Sequence, residues 1–428
     1  MTIQSNKAPS DNTVVLYQAL SKYSSLTDDD QRKWWNHTGP VLERMLRDSG
    51  YDSQSQCLYL YLLQQHLIPF LGTFPTEGQE HKRWLSNLTP YKVPYELSWN
   101  VSHKVVRISW DPVSHLAGTE ADLFNKKAIH DCTRRLAQLD NSIVLDRYQA
   151  LHRELVLTEQ EEQTLLTSDS LPAAGRGQHN LAVDFQNGGM SLKVYFYPYM
   201  KFLATGTSIQ ELFFGAIDKL QISAIEAPLR MLQCYFSASH DDGMRTVDDK
   251  VFPSLLACDL CDPRKSRIKF YLIDKWVKWE RIVDIWTIGG RRVNDQVCND
   301  GLALLKELWD LLSIPEGDRG DIWPNLVLGQ PPTHLMTTMA NYTLSPASDY
   351  PEPQVYLVTF GMNDMAVINA LTTFYERVGW TDMAASYKDH VRSYYPNLDL
   401  RKTNWVHEAI SFSYRNSMPY LSVYYSPF

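Results

Sequence analysis

Along this chain, short runs of alternating apolar and polar residues recur in pairs, and longer stretches of helical spacing separate the pairs. The first pair is "YELSWN" at 95–100 with "VVRISW" at 105–110, and the second is "LAVDF" with "SLKVYFYP". "LRMLQCYFS" with "RIKFYLID" reads as a third, "HLMTTMANYTL" with "PQVYLVTF" as a fourth, and "HEAISFSYR" with "PYLSVYYSPF" as a fifth. Helices are predicted over 119–166, over "IQELFFGAIDKLQ" at 209–221 and over "LALLKELWDLL" at 302–312. "NDMAVINALTTFYERVG" has Asn363 as its N-cap and Gly379 beyond its C-terminus.

The first 90 residues read as helical. There, Thr27 to Asp30 suggests a capping box, Gly50 a C-cap, and Pro40 a break between two helices. The segment 238–266 reads as a long, partly exposed insertion. Arg107, Lys193, Lys269, Gln354 and Tyr424 mark the second strands, at separations of 86, 76, 85 and 70 residues. That regularity argues for one large architecture over residues 1–428. It has a helical segment at about 10–90 and a barrel from about 91 to the end. Ten hairpin-linked antiparallel strands can close on themselves and leave no edge, with the helices packed outside, an α+β arrangement.

Side chains two apart on a strand share a face. One face therefore collects Arg107 and Ser109; Lys193, Tyr195 and Tyr197; Arg267, Lys269 and Tyr271; Gln354 and Tyr356; and Tyr420, Ser422 and Tyr424. The opposite faces are apolar and suit packing under helices. A polar face on one strand is ordinarily just solvated. Five strands repeating a cation or amide followed by tyrosine point instead to a lined cavity.

Composition narrows the chemistry. At 44% hydrophobic and 21% charged, with formal net charge −8, the chain lacks the positive field that draws nucleic acid or anionic membranes. The start "MTIQSNKAPSDN" lacks the apolar core of a signal peptide, and "CLYLYLLQQHLIPFLG" is too short and too interrupted to span a bilayer. Six irregularly spaced cysteines fit a reducing, cytoplasmic setting. Cys258 and Cys261 have metal-ligand spacing without a partnering motif, so they read as ordinary cysteines.

Converging Lys and Arg in an acidic chain suit a polyanion such as a diphosphate. Tyrosine rings attract a cation. A ligand anionic at one end and becoming cationic at the other is an allylic diphosphate undergoing ionisation. The acidic runs "DDDQR", "HDDGMR" and "VDDKVF" lack DDxxD spacing, so fixed cations would stand where Mg²⁺ otherwise does. Glu96 and Arg107 sit on the same hairpin and either pair with each other or are held for ligands.

"PYELSWN", "VRISW", "LKVYFYP", "RIKFYLID" with "IWTIGGRR", "PQVYLVTFGMND" and "PYLSVYYSPF" resemble fungal aromatic prenyltransferases of the dimethylallyltryptophan synthase family. The resemblance runs from about residue 10 to the end. It implies the ABBA prenyltransferase barrel and transfer of a prenyl group, usually dimethylallyl, to an indole. The acceptor would be tryptophan, a tryptophan-containing cyclic dipeptide or an indole alkaloid, with no metal or other cofactor required. By the same resemblance Arg107, Lys193, Arg267, Lys269 and Gln354 would bind diphosphate. Tyr195, Tyr271, Tyr356, Tyr420 and Tyr424 would shield the cation, and Glu96 would bond the indole N–H and help remove the ring proton. Tyr197 and Ser109 fall at the acceptor pocket, and Met339 at a gate on donor length. A phenolic or polyketide acceptor, or a non-catalytic carrier of apolar molecules, are the competing functions. The expected partners are small molecules, not nucleic acid or membrane, with the protein a monomer or homodimer.

Overall fold

The computed structural model describes residues 15–428 apart from 25, 77–83, 169, 173, 187, 238–249, 320–325, 327 and 329. Helices α1 (Leu16–Lys22), α2 (Asp29–Asp48) and α3 (Ser53–Leu62) come first, followed by the hairpin β1 (Tyr95–Asn100) and β2 (Val105–Trp110). Next come α4 (Lys127–Leu139), α5 (Asp146–Leu155) and α6 (Glu159–Leu166), then β3 (His179–Gln186) and β4 (Gly189–Phe196). After α7 (Tyr199–Thr205), α8 (Ile209–Lys219) and α9 (Glu226–Phe236), the chain forms β5 (Val251–Asp259) and β6 (Ile268–Asp274). A small ladder, β7 (Trp276–Val277) with β8 (Gly317–Asp318), flanks α10 (Trp279–Thr287) and α11 (Gln296–Leu312). β9 (Thr338–Leu344) and β10 (Glu352–Val358) precede α12 (Asp364–Arg377) and α13 (Thr381–Tyr394), and β11 (His407–Arg415) and β12 (Met418–Tyr425) end the series.

Ten strands close a barrel in the order β1-β12-β11-β10-β9-β6-β5-β4-β3-β2, as their pairing into hairpins anticipates. All neighbours are antiparallel. The outward residues Val106, Ile108, Val194, Phe196, Phe270, Leu272, Val355, Leu357, Leu421 and Val423 are buried in one large core with the helices. The inward residues form a separate small cluster of tyrosines in the lumen. This is the inverted polarity read from the alternation. Apolar residues face the helices, and polar and aromatic residues face the cavity.

Five local readings change. The first strand of the third pair is not "LRMLQCYFS", which is helix α9. Its buried residues Leu229, Leu232, Tyr235 and Phe236 follow a period of three to four rather than two. The strand lies instead at β5, within the segment read as an insertion; 238–249 falls outside the described residues. Pro253 hides it from a strand reading, and the structure places Pro253 at a register shift where the ladder tolerates proline. Helical structure expected over 119–166 begins only at Lys127 and is three helices.

Pro40 does not divide the N-terminal helix, for α2 runs through it. Gly39 precedes it, and lacks the Cβ that a proline ring would strike. A Cβ there would also meet the Tyr17 ring at 2.8 Å. The cap is Asp28, which accepts from the Gln31 N–H at 2.9 Å, rather than Thr27. Gly50, at φ +80, closes the helix as expected, with the Tyr51 N–H on the Leu46 carbonyl. Cys258 and Cys261 are free thiols. Among the described residues no helix is long and apolar enough to cross a membrane, and no cluster of three ligating side chains could hold a metal.

Candidate active site

The even-numbered strands β2, β4, β6, β10 and β12 run in one direction, so equal steps along them reach equal depths in the lumen. On β4 the inward residues are Lys193 and then Tyr195, with Tyr197 just past the strand's end; on β6 they are Lys269 and then Tyr271. Arg107 precedes Ser109 on β2 and Gln354 precedes Tyr356 on β10. The strand direction thus sorts the lumen into a cationic end, a tyrosine belt and a carboxyl end.

Arg107, Lys193, Arg267 and Lys269 meet at the first of these. Asp184 of β3, not singled out from the sequence, lies among them. It is the register partner of Arg107 and accepts from its Nε and Nη2, the latter at 3.2 Å. Lys193 Nζ donates to Asp184 Oδ2 at 2.5 Å. Burial alone would raise the Asp184 carboxyl, but Arg107 and Lys193 outweigh it and hold the group well below the usual carboxylate range. A second acid, Asp259, takes a two-pronged bond from Arg267, at 2.7 and 3.1 Å. Arg107 is therefore paired with Asp184 and not with Glu96.

Lys269 differs. It forms no ion pair among the described residues; Arg267, Arg415, Arg107 and Lys193 crowd it with like charge, and Asp259, held by Arg267, is an acid near it. Burial first, and then that repulsion, push its ammonium well below the ordinary lysine range. An anion placed there would offset that repulsion and favour the charged ammonium. Gln354 donates to Ser411 Oγ at 2.9 Å and accepts from Asn341 at 3.2 Å, facing the same cavity.

Above the cations the rings of Tyr195, Tyr271, Tyr356 and Tyr424 form a chain, with successive centroids 6.0, 6.0 and 5.7 Å apart. Arg107 Nη1 donates to the Tyr424 hydroxyl at 3.2 Å and so joins the two layers. Tyr420 is not in this chain. Four residues before Tyr424 on β12, it sits at the cationic end, with the Arg415 guanidinium 5.1 Å from its ring centroid. Met339, opposite Tyr356 on β9, packs into the tyrosine cluster, whereas Met336 packs outside the lumen with Tyr91, Val93 and Phe360.

At the far end Glu96 and Ser109 are register partners, with the Ser109 hydroxyl bonded to the carboxylate. Two residues along the hairpin separate this level from Arg107, about 7 Å. Burial raises the proton affinity of Glu96. Tyr197 accepts from Asn180 Nδ2 at 2.9 Å and lies near Glu96. A third acid not singled out from the sequence, Glu408, touches Glu96 from β11. Strict alternation would have turned Glu408 outward with Ile410 and Phe412, and only a register shift in β11 brings it in.

The model of the tryptophan dimethylallyltransferase family matches residues 30–390. The chain is 75% identical over 412 residues to a 6-hydroxy-7-prenyldeoxybrevianamide E synthase from Aspergillus sp. (strain MF297-2), covering 96% of this chain and 97% of that one. It is 51% identical over 415 residues to the 12-alpha,13-alpha-dihydroxyfumitremorgin C prenyltransferase of Aspergillus fumigatus, again covering 96% and 97%. The crystal structure of NotF in complex with brevianamide F and DMSPP superposes with a TM-score of 0.81 at 28% identity, over 96% of this chain and 98% of that one.

Proposed function

The chain belongs to the tryptophan dimethylallyltransferase family, and we propose that it transfers a dimethylallyl group from its diphosphate to a tryptophan-derived indole. The observation that supports this most is the separation of opposite demands within one lumen. An anion seat centred on Lys269 stands at one end, a carboxylate at the other, and a ring of tyrosines between.

In this reading Arg107, Lys193, Arg267, Lys269 and Gln354 hold the diphosphate. Their charge favours breaking the allylic C–O bond, whose electron pair leaves with the diphosphate. Tyr195, Tyr271, Tyr356 and Tyr424 present ring faces to the allyl cation and exclude water, and Tyr420 offers its hydroxyl to the diphosphate. Glu96 accepts the indole N–H, which strengthens the ring as nucleophile, while Ser109 and Tyr197 frame the acceptor. A ring carbon then bonds to the allyl cation, and the arenium ion formed loses its ring proton toward the carboxylate. Fixed cations do the work of a metal. Met339 closes the apolar end against longer donors.

For the acceptor we propose an indole alkaloid derived from a tryptophan-containing cyclic dipeptide and carrying a hydroxyl on its ring. The name of the relative at 75% identity places a hydroxyl and the prenyl group at neighbouring positions, 6 and 7. The test is incubation with dimethylallyl diphosphate and a panel of tryptophan-containing cyclic dipeptides in excess EDTA. Products heavier by one prenyl unit are expected. Transfer that EDTA abolishes and only Mg²⁺ restores would overturn the cation site, and no product from any indole would overturn the reading itself.

A further inference from the structure

A bulge in β11 brings Glu408 into the carboxyl end of the lumen. His407 pairs with Tyr425 and Ala409 with Tyr424, so Glu408 is the extra residue between them. His407 turns outward to Asp364 and Tyr387, and Ile410 joins the outer core. Ala409 packs with the lumen tyrosines. A bulge lets two successive residues take the place of one and re-aims a side chain that alternation would send the other way. The Glu408 carbonyl accepts from the N–H groups of Thr359 and Phe360, both at 3.1 Å, which pins the distortion in place.

The Glu408 side chain is 4% exposed. It contacts Glu96 and the Ser426 hydroxyl, yet its Oε1 has no hydrogen-bond partner among the described residues. Buried polar atoms without a partner are rare and ask for an explanation. Two carboxyls in contact cannot both ionise cheaply, so the pair holds one proton. Burial, and then the charge of Glu96, place that proton on Glu408. Arg107 faces the pair from the Glu96 side with Tyr195, Tyr197 and Tyr424, and Tyr91 and Tyr395 lie near Glu408. Glu408 thus donates to Glu96 through one oxygen, and its buried Oε1 is left as an acceptor without a partner among the described residues.

We propose that Glu408 Oε1 receives a hydroxyl carried by the aromatic ring of the acceptor while Glu96 takes its indole N–H, which makes Glu408 the residue that selects hydroxylated indoles. The inference rests on the indole reading given above and adds the group that reads the second donor. As the arenium ion forms, the hydroxyl oxygen shares its positive charge and its proton becomes more acidic. The bond to Oε1 therefore tightens in the transition state and favours turnover as well as binding.

The experiment compares the tryptophan–proline cyclic dipeptide with its 6-hydroxyindole counterpart, reading kcat/KM for each. Wild type should prefer the hydroxylated acceptor. Glu408→Leu should lose that preference by about 10- to 100-fold, the effect of one hydrogen bond to a polar group in a buried site. Glu408→Gln keeps a carbonyl oxygen and an N–H toward Glu96, and should retain most of it. Should Glu408→Leu fail to fold, Glu408→Asp, which draws the oxygen back by one methylene, must show the same selective loss. Equal losses on both acceptors, or a wild type indifferent to the hydroxyl, would overturn the inference and leave indole prenylation standing. Failure of wild type on both acceptors would overturn both.

Discussion

Arg107 and Asp184 stand directly opposite each other on adjacent strands, and the guanidinium donates to both oxygens of the carboxylate. Lys193 bonds the same carboxylate. One buried anion therefore orients two buried cations without neutralising them, and the cationic end keeps a positive surplus for a ligand. Positioning of this kind limits the reorganisation needed when the diphosphate arrives and leaves.

Asp184→Ala should expose that relationship. Removing one partner of a buried charge cluster costs about 3–5 kcal/mol, so the melting temperature falls in the absence of ligand. Dimethylallyl diphosphate then replaces the missing anion and should raise the melting temperature by more than it does in wild type. Thermal melts with and without donor decide this. Equal shifts in both proteins would separate Asp184 from the anion site.

The two lysines should behave differently. Lys193→Ala breaks the bond to Asp184, and both resting stability and donor KM should worsen. Lys269→Ala removes a buried amine whose charged form four neighbouring cations oppose, so the resting protein should melt no lower than wild type while donor KM rises. In neither should acceptor KM change as much. Acceptor and donor KM rising together in both variants would contradict a dedicated diphosphate end.

Glu96→Gln preserves shape but cannot accept a proton, and turnover with an indole should drop roughly 10²- to 10⁴-fold. The pH profile follows from the raised proton affinity of Glu96. Below its pKa the carboxyl is protonated and cannot accept, so kcat/KM falls as pH drops through a value above the ordinary 4.3 or so of a glutamic acid. That acidic limb should be absent from Glu96→Gln. Near-normal turnover in the folded variant would remove Glu96 from the mechanism.

What could and could not be read in advance follows from how each residue is placed. Lys193 and Tyr195 lie on a regular strand, where a period of two is enough to bring them to one face. Asp184 lies on an equally regular strand. Its role emerges only when β3 is set beside β2, for the partner of Arg107 is a matter of register between hairpins. Glu408 is further out of reach, since the bulge that turns it inward leaves alternation intact on either side. The resemblance assigns Tyr420 to the shield with the other tyrosines, whereas its position four residues before Tyr424 on β12 sets its ring beside the Arg415 guanidinium.

Met339→Gly should widen the lumen beside Tyr356. Truncating this partly buried side chain destabilises, and a strand glycine costs about 0.5–1 kcal/mol more, so a lower melting temperature is expected. The ratio of geranyl to dimethylallyl diphosphate turnover should rise in the variant. An unchanged ratio in folded protein would rule out Met339 as the gate, and Met336→Gly, outside the lumen, should leave the ratio alone.

The most direct test of the whole arrangement is a crystal structure with dimethylallyl thiolodiphosphate, an unreactive donor, and a tryptophan-containing cyclic dipeptide. The diphosphate oxygens should lie within hydrogen-bond distance of Arg107, Lys193 and Lys269, the allyl carbons within the ring of Tyr195, Tyr271, Tyr356 and Tyr424, and the indole N–H on Glu96. A diphosphate bound away from Lys269, or an indole whose N–H points away from Glu96, would contradict the account.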